Sequence, residues 1–233
     1  MTVPNNAPNN ASDDAPSVSL KQDIINGYYM PNEKLVMSRL KGRYQIGTGP
    51  LREILAKLVQ QGLVVAENQK GFRVKPITIQ ELLDIYESRS HLEIMCIKLA
   101  IEKGDDEWEA NIIAAAHRMN LLGNLEDKDD ASIKKWESIH QLFHQAILNG
   151  CGLNGLMIAR QSLYEKCARY RNFWLKMNMV NPQVFADNRQ EHNDLVELVI
   201  NRKTDAAIEL IHEHIHGPAY FIQKDIENGI FTN

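Results

Sequence analysis

The sequence predicts a mainly α-helical protein in two parts: a small amino-terminal unit of short helices and a hairpin, followed by an all-helical bundle of six or seven helices. Three observations carry this reading. Residues 77–233 show apolar residues at helical spacing throughout and no convincing pair of strands. Residues 18–76 are punctuated by Gly and Pro into pieces too short for one long helix. Charge divides at the same place. Residues 18–76 hold ten Lys and Arg against four Asp and Glu, while the chain as a whole carries a formal charge of −4, so residues 77–233 are strongly acidic. A basic block joined to an acidic one points to a polyanionic partner for the first alone, although an ordinary solvated basic face has the same composition.

The opening seventeen residues, rich in Asn, Pro, Ala and Asp, read as a disordered tail. They lack the basic start, apolar run and cleavage site of a secretory signal. No apolar stretch approaches the roughly 20 residues that cross a bilayer, so a soluble, cytoplasmic protein without a membrane partner is expected. Cys96, Cys151 and Cys167 form no Cys-x-x-Cys pair, and three cannot all be paired, which fits free core thiols in a reducing compartment.

In the basic block, Val18 to Ile25 has helical spacing and ends at Asn26-Gly27. Tyr28 to Asn32 is a turn leading into Leu35, and Ser38 to Tyr44 supports a second short helix. Gly47-Thr48-Gly49-Pro50 breaks the chain, and Pro50 in a first turn opens a third helix from Leu51 to Val59. Leu63 to Ala66 and Phe72 to Val74 then read as two strands joined by a basic, Gly-containing tip. Two short helices about a Gly-containing turn, followed by a small wing, make a winged helix-turn-helix.

Here the sequence resembles a known family. P-L-R-E-I-L-A-K-L-V-Q-Q-G-L-V at Pro50–Val64, followed by Asn68 to Val74, is similar to the signature of GntR-type transcription regulators. The resemblance implies that the helix opened by Pro50 enters the major groove, with Arg52 reading a base edge and Arg39, Arg43 and Thr48 flanking it. Lys70 at the wing tip then meets phosphate or the minor groove. The alternative for Arg52 is a surface ion pair with Glu53 or a neighbouring helix. The chain departs from the family in carrying Gly47-Thr48 where most members have Ser-Arg or Thr-Arg, so one guanine-reading Arg is missing and the operator should differ.

Pro76 marks the linker, and Thr78-Ile79-Gln80-Glu81 is a capping box that starts the second domain. Helices are expected at about 79–102, 106–122, 131–149, 153–177, 183–201 and 205–227. Asp105 or Asp106 caps the second, Asn181 precedes an opening Pro182 in the fifth, and Thr204 or Asp205 caps the last.

The chemistry of this domain lies in its histidines. His140 and His144, four apart, share a face with Ile133, Trp136 and Ile147; His192 shares one with Leu195, Val196 and Val199; His214 shares one with Ala207, Leu210 and Ile211. His212 and His216 fall on a more polar side with Asp205 and Glu209. One buried imidazole is ordinarily a satisfied core residue, but each of four needs partners for two nitrogens. A shared divalent metal answers one nitrogen of each.

F-H-Q-A-I at Phe143–Ile147, E-H-N-D-L at Glu191–Leu195, the run ending at His214–Ile215, and Y-E-S-R-S-H-L-E at Tyr86–Glu93 resemble the ligand-sensing FCD domain of the FadR branch of GntR regulators. In its metal-binding members an Asp and a His four apart, with two later histidines, hold the ion. By position, His140 takes the Asp place while His144, His192 and His214 match the histidines. Four imidazoles favour zinc or nickel over magnesium, calcium or manganese. Glu137, three residues before His140, is the carboxylate able to join the site. The resemblance places Arg89 at the same cavity, where a guanidinium beside a metal suits a carboxylate effector; the alternative is an intrahelical pair with Glu93. Arg171, and less so Arg169, are candidates for a second carboxylate. A-R-Y-R-N-F-W-L at Ala168–Leu175 is similar to carbon-starvation regulators tied to glutarate and gamma-aminobutyrate catabolism, which implies a glutarate-like inducer. The function implied is a homodimeric repressor of a palindromic operator. The competing reading is a metal-dependent enzyme acting on a small acid, with Glu137 as base; a metal or metabolite buffer is a third.

Overall fold

The computed structural model describes residues 14–122, 130–177 and 182–229, and the chain divides into two compact units, Met1–Pro76 and Ile77–Asn233. The first unit runs α1 (Asp14–Ile25), β1 (Lys34–Leu35), α2 (Met37–Tyr44), α3 (Thr48–Gln60), β2 (Val64–Glu67) and β3 (Gly71–Val74). Its three strands are antiparallel in the order β1-β3-β2, with Val64 opposite Val74 and Glu67 opposite Gly71. Leu51, Ile54, Leu55 and Leu58 recur at three and four residues along α3 and are buried, while Arg52, Glu53, Ala56 and Lys57 face outward. Each buried Leu stabilises the unit by roughly 1.5–3 kcal/mol relative to an exposed one.

Several expectations are corrected here. α1 begins at Asp14, so the last residues of the expected tail are helical; residues 1–13 lie outside those described. The turn between α2 and α3 begins at Gln45, whose backbone is left-handed (φ 51°, ψ 43°), and α3 begins at Thr48, with Pro50 inside its first turn. Pro is tolerated there because an N–H in the first turn has no helical acceptor. β1 is added by two residues, Lys34 and Leu35, pairing with Arg73 and Phe72.

The second unit consists, among the described residues, of six helices: α4 (Ile79–Lys103), α5 (Asp106–Leu121), α6 (Asp130–Asn149), α7 (Asn154–Met177), α8 (Pro182–Ile200) and α9 (Thr204–Glu227). Thr78 caps α4, its hydroxyl accepting from Glu81 N at 3.2 Å, and Asp105 caps α5, accepting from Trp108 N at 2.9 Å. Asn181 lies outside the described residues. The expected cap of α9 is not formed: Lys203 holds that position without a side-chain bond, and Thr204 is already helical. Pro218 sits inside α9, which runs through it; its missing N–H leaves the carbonyl of His214 without the usual acceptor role.

α4 lies against α6, α7 and α9, and α5 against α6. Trp108 locks the α5–α6 seam by donating from Nε1 to the Ile147 carbonyl at 2.9 Å. Gly104 and Gly150 make room for its ring, since a Cβ at either would come within 2.1 and 2.7 Å of it. Cys96, Cys151 and Cys167 are buried free thiols. None of the described helices is long and apolar enough to cross a membrane.

Candidate functional site

In the first unit the basic side chains fall into two groups. Arg52, in the first turns of α3, is exposed and forms no ion pair or hydrogen bond with Glu53 or any other described residue. Thr48 and Pro50, at the same helix start, are exposed, and so is Lys70 in the three-residue tip between β2 and β3. Gln69 and Gly71 take positive φ (59° and 96°) to close that tip, with Lys70 N donating to Glu67 O at 3.0 Å. Arg39 and Arg43 are engaged within the unit. Arg39 donates to Glu33 at 3.3 Å. Arg43 donates from Nε and Nη2 to Asp23 Oδ2 at 3.0 and 2.9 Å and lies 3.8 Å over the Tyr28 ring. All of these residues are exposed, Arg39 and Arg43 included; Arg52 and Lys70 are the cations among them that are not held in an ion pair.

In the second unit, α6, α8 and α9 bring His140, His144, His192 and His214 together, all buried, with one ring nitrogen of each within 4.8 Å of the others. His144 is the hub: its Nε2 is 3.1 Å from that of His140 and 3.3 Å from those of His192 and His214. Proton bookkeeping makes this arrangement unusual. A neutral imidazole nitrogen either donates one hydrogen or offers one lone pair, so His144 Nε2 can make a sound hydrogen bond with only one of its three neighbours. Protonating the rings is no remedy. Burial first, then Arg171, His192, His214 and Arg89 for His140, and His140, His214, His192 and Arg89 for His144, push both well below the ordinary 6.5, and His192 follows through burial, His214 and Arg171.

Imidazole nitrogens that converge in this way are a donor set able to hold a divalent metal. Nitrogens arranged tetrahedrally at 2.0–2.1 Å from zinc stand about 3.3 Å apart, which is the spacing about His144. Glu191 Oε2 lies 2.7 Å from His214 Nδ1; a carboxylate only accepts, so Nδ1 carries a hydrogen, and Nε2 is the nitrogen turned to the centre. Trp136 stacks on His140 with centroids 4.5 Å apart. His140 Nδ1 and His192 Nδ1 are buried without a hydrogen-bond partner. The donor set thus fits a divalent ion that accepts imidazole, and the four histidines could hold one.

Glu137 does not join this ring. Its carboxylate receives Arg171 from Nε at 3.0 Å and from Nη2, and Tyr164 Oη donates to it at 2.6 Å. Burial works against the Arg171 charge, but Glu137 outweighs it and raises the guanidinium further. A second buried pair lies beside it: Arg89 Nε donates to Glu93 Oε1 at 2.7 Å, and Arg160 Nε to the same oxygen at 3.3 Å. Burial disfavours the Glu93 carboxylate, yet Arg89 and Arg160 hold it below its ordinary value. Arg89 takes the intrahelical pair with Glu93, and its charge still bears on His140 and His144. Arg169 is buried elsewhere, near Tyr170 and Glu81. His212 and His216 stack on the outer side of α9, His216 facing Glu87 at 3.0 Å.

Tyr164, Arg160 and Glu191 are absent from the expectations. Glu191 alone had a signal, standing beside His192 in a quoted motif, but it serves His214 on the next helix.

Comparison with known proteins converges on one assignment. Residues 18–74 match the gntR family of bacterial regulatory proteins, and residues 84–217 match the FCD domain. The chain is 44% identical over 207 residues to the HTH-type transcriptional repressor GlaR of Escherichia coli, covering 88% of this chain and 93% of that protein. It is 29% identical to the uncharacterized HTH-type transcriptional regulator BphR of Paraburkholderia xenovorans, over 88% of this chain and 82% of that one. Among solved structures, E. coli McbR/YncC shares the fold with a TM-score of 0.76 at 17% identity, covering 92% of this chain and 98% of the other.

Proposed function

The chain is a GntR-family, DNA-binding transcription regulator carrying an FCD ligand-sensing domain, and from that premise we propose that it is a homodimeric repressor released from its operator by a small carboxylate. The effector binds at a divalent metal, zinc or nickel, held by His140, His144, His192 and His214. One observation carries this reading: four buried imidazoles converge, with buried guanidiniums in the same core. When bound, the metal supplies a Lewis-acidic position for an anionic oxygen. Arg89 and Arg171, fixed by Glu93 and Glu137, supply positive charge beside it, and a glutarate-like dicarboxylate is the leading candidate.

The headpiece reads DNA through Arg52, aimed from the first turns of α3, with Thr48 and Pro50 shaping the approach and Lys70 on the backbone. Arg39 and Arg43 contribute charge while bracing Glu33 and Asp23. A single short recognition helix reads few bases, so two copies on a palindrome supply the specificity. The effector acts only by preferring one dimer geometry to the other. Glu137, the base an enzyme would have needed, is committed to Arg171 and Tyr164.

The test is an electrophoretic gel shift with a fragment of the protein's own upstream region. Zinc-loaded protein should release the fragment on addition of glutarate, and chelator-treated protein should not. Release that is indifferent to chelation, or none with any short dicarboxylate, would sink the reading. Arg52→Ala should weaken operator binding by about 10–100-fold per half-site while leaving non-specific retention on heparin nearly intact; unchanged operator affinity would remove Arg52 from the interface.

A further inference from the structure

The buried side of α4 carries two hydroxyls that no protein group answers. Tyr86 and Ser90 stand four residues apart, each 1% exposed, and neither Tyr86 Oη nor Ser90 Oγ has a hydrogen-bond partner. A helical serine commonly bonds back to the carbonyl four residues earlier, and leaving a buried hydroxyl unpaired costs about 1–3 kcal/mol. Other hydroxyls of this core are paired, Tyr164 with Glu137 and Tyr170 with Glu81; the atoms left unpaired besides those of Tyr86 and Ser90 belong to the ion pairs, the histidine ring and the Asn172 amide oxygen.

The Tyr86 hydroxyl also stands within the electrostatic reach of Arg171, Arg89 and Glu137, and the same two guanidiniums bear on His140. Tyr86 stands three residues before Arg89 on α4, so the two share a side of that helix, and Arg89 and Arg171 both lie over the Tyr164 ring, 5.1 and 5.3 Å from its centroid. Three buried arginines, Arg89, Arg160 and Arg171, face two buried carboxylates, Glu93 and Glu137, leaving one positive charge in surplus before any metal is counted. The surroundings thus carry more positive than negative charge, even though Glu93 Oε2 is itself left without a partner.

We propose that Tyr86 and Ser90 are specificity residues that donate to the second, far carboxylate of the effector. This rests on the carboxylate-sensing reading above and sharpens it. The effector must carry oxygen acceptors at both ends; a monocarboxylate of the same length satisfies the metal end and leaves both hydroxyls unpaired. Glu87 and Ser88, between them in sequence, take no part.

Calorimetric titration of zinc-loaded full-length protein with glutarate and with pentanoate, which has five carbons and one carboxylate, tests this. Tyr86→Phe should weaken glutarate about tenfold or more and Ser90→Ala several-fold, as loss of a hydrogen bond to a charged group implies. Neither should change pentanoate, and without ligand both variants should melt at or above the wild-type temperature, because each removes an unpaired group. Equal losses for both acids, no loss for glutarate, or lower melting temperatures would overturn the assignment of these hydroxyls while leaving the sensor intact. Failure of the wild type to bind any short dicarboxylate would overturn the parent reading, and this one with it.

Discussion

The two units treat charge in opposite ways. In the headpiece Arg52 and Lys70 stand in solvent, unpaired among the described residues. In the helical unit Arg89, Arg160 and Arg171 are buried and paired, and His140, His144 and His192 are buried and kept neutral. An exposed cation costs nothing to maintain and waits for a polyanion, whose condensed counterions it displaces. A buried one is expensive unless paired, and these three are paired to Glu93 and Glu137. Function in the first unit is read from what is exposed; in the second it is read from polar groups that the core tolerates.

The hub of the histidine ring offers the largest effect with which to break that contrast. His144→Ala removes the one ring whose Nε2 touches all three others. Zinc affinity, followed by competition with a chelator of known strength, should fall by more than about a hundredfold, beyond the 10–100-fold usual for losing a group behind a ligand. His212→Ala, on the exposed side of α9, should leave zinc affinity unchanged. Binding of operator DNA by the effector-free protein should survive both. If His144→Ala binds zinc as tightly as the wild type, the buried ring is not the metal centre.

Acidification separates the units next. The folded-state pKa of His140, His144 and His192 lies below the 6.5 of an exposed ring, so on acidification the unfolded chain takes up protons first. The stability these rings contribute is therefore complete above about pH 6.5 and is lost as pH falls below it, by up to about 1.4 kcal/mol per pH unit for each ring. Trp108, Trp136 and Trp174 are the chain's three tryptophans and all belong to the helical unit, so their fluorescence reports its unfolding alone. In chelator, the urea midpoint should drop steeply from pH 7 to pH 5.5. A flat profile would show the rings to be solvated.

The sequence foreshadowed the fold more completely than the site, for a physical reason. Helix ends set by local chemistry were legible: Thr78 and Asp105 cap the next turn in sequence, and both ends of α4 fall within a residue of expectation. β1 was not, because two residues show no alternation and owe their strand to a partner about forty residues away. The same divide runs through the site. His140 and His144 are four apart on one helix, so their common face followed from the helical repeat alone. Glu191 behind His214, Arg160 on Glu93 and Tyr164 on Glu137 join residues of different helices. Such pairs depend on how one helix is set against another, which periodicity does not encode. The pairing of Arg43 was hidden for the same reason: nothing near it in sequence announces Asp23, twenty residues earlier.

Lys70 supplies the smallest effect and the finest distinction within the headpiece. It is exposed at the wing tip, a flexible point charge rather than a planar fork, and a point charge on phosphate carries no sequence information. Lys70→Ala should therefore weaken operator and random DNA by the same few-fold factor at moderate salt. It should also lower the slope of log affinity against log salt by roughly one for each headpiece bound. Arg52→Ala should do the reverse, narrowing the gap between operator and random DNA more than it changes the slope. A Lys70→Ala variant that loses discrimination while keeping the wild-type slope would place the wing tip on base edges and move part of the reading from α3 to the β2–β3 hairpin.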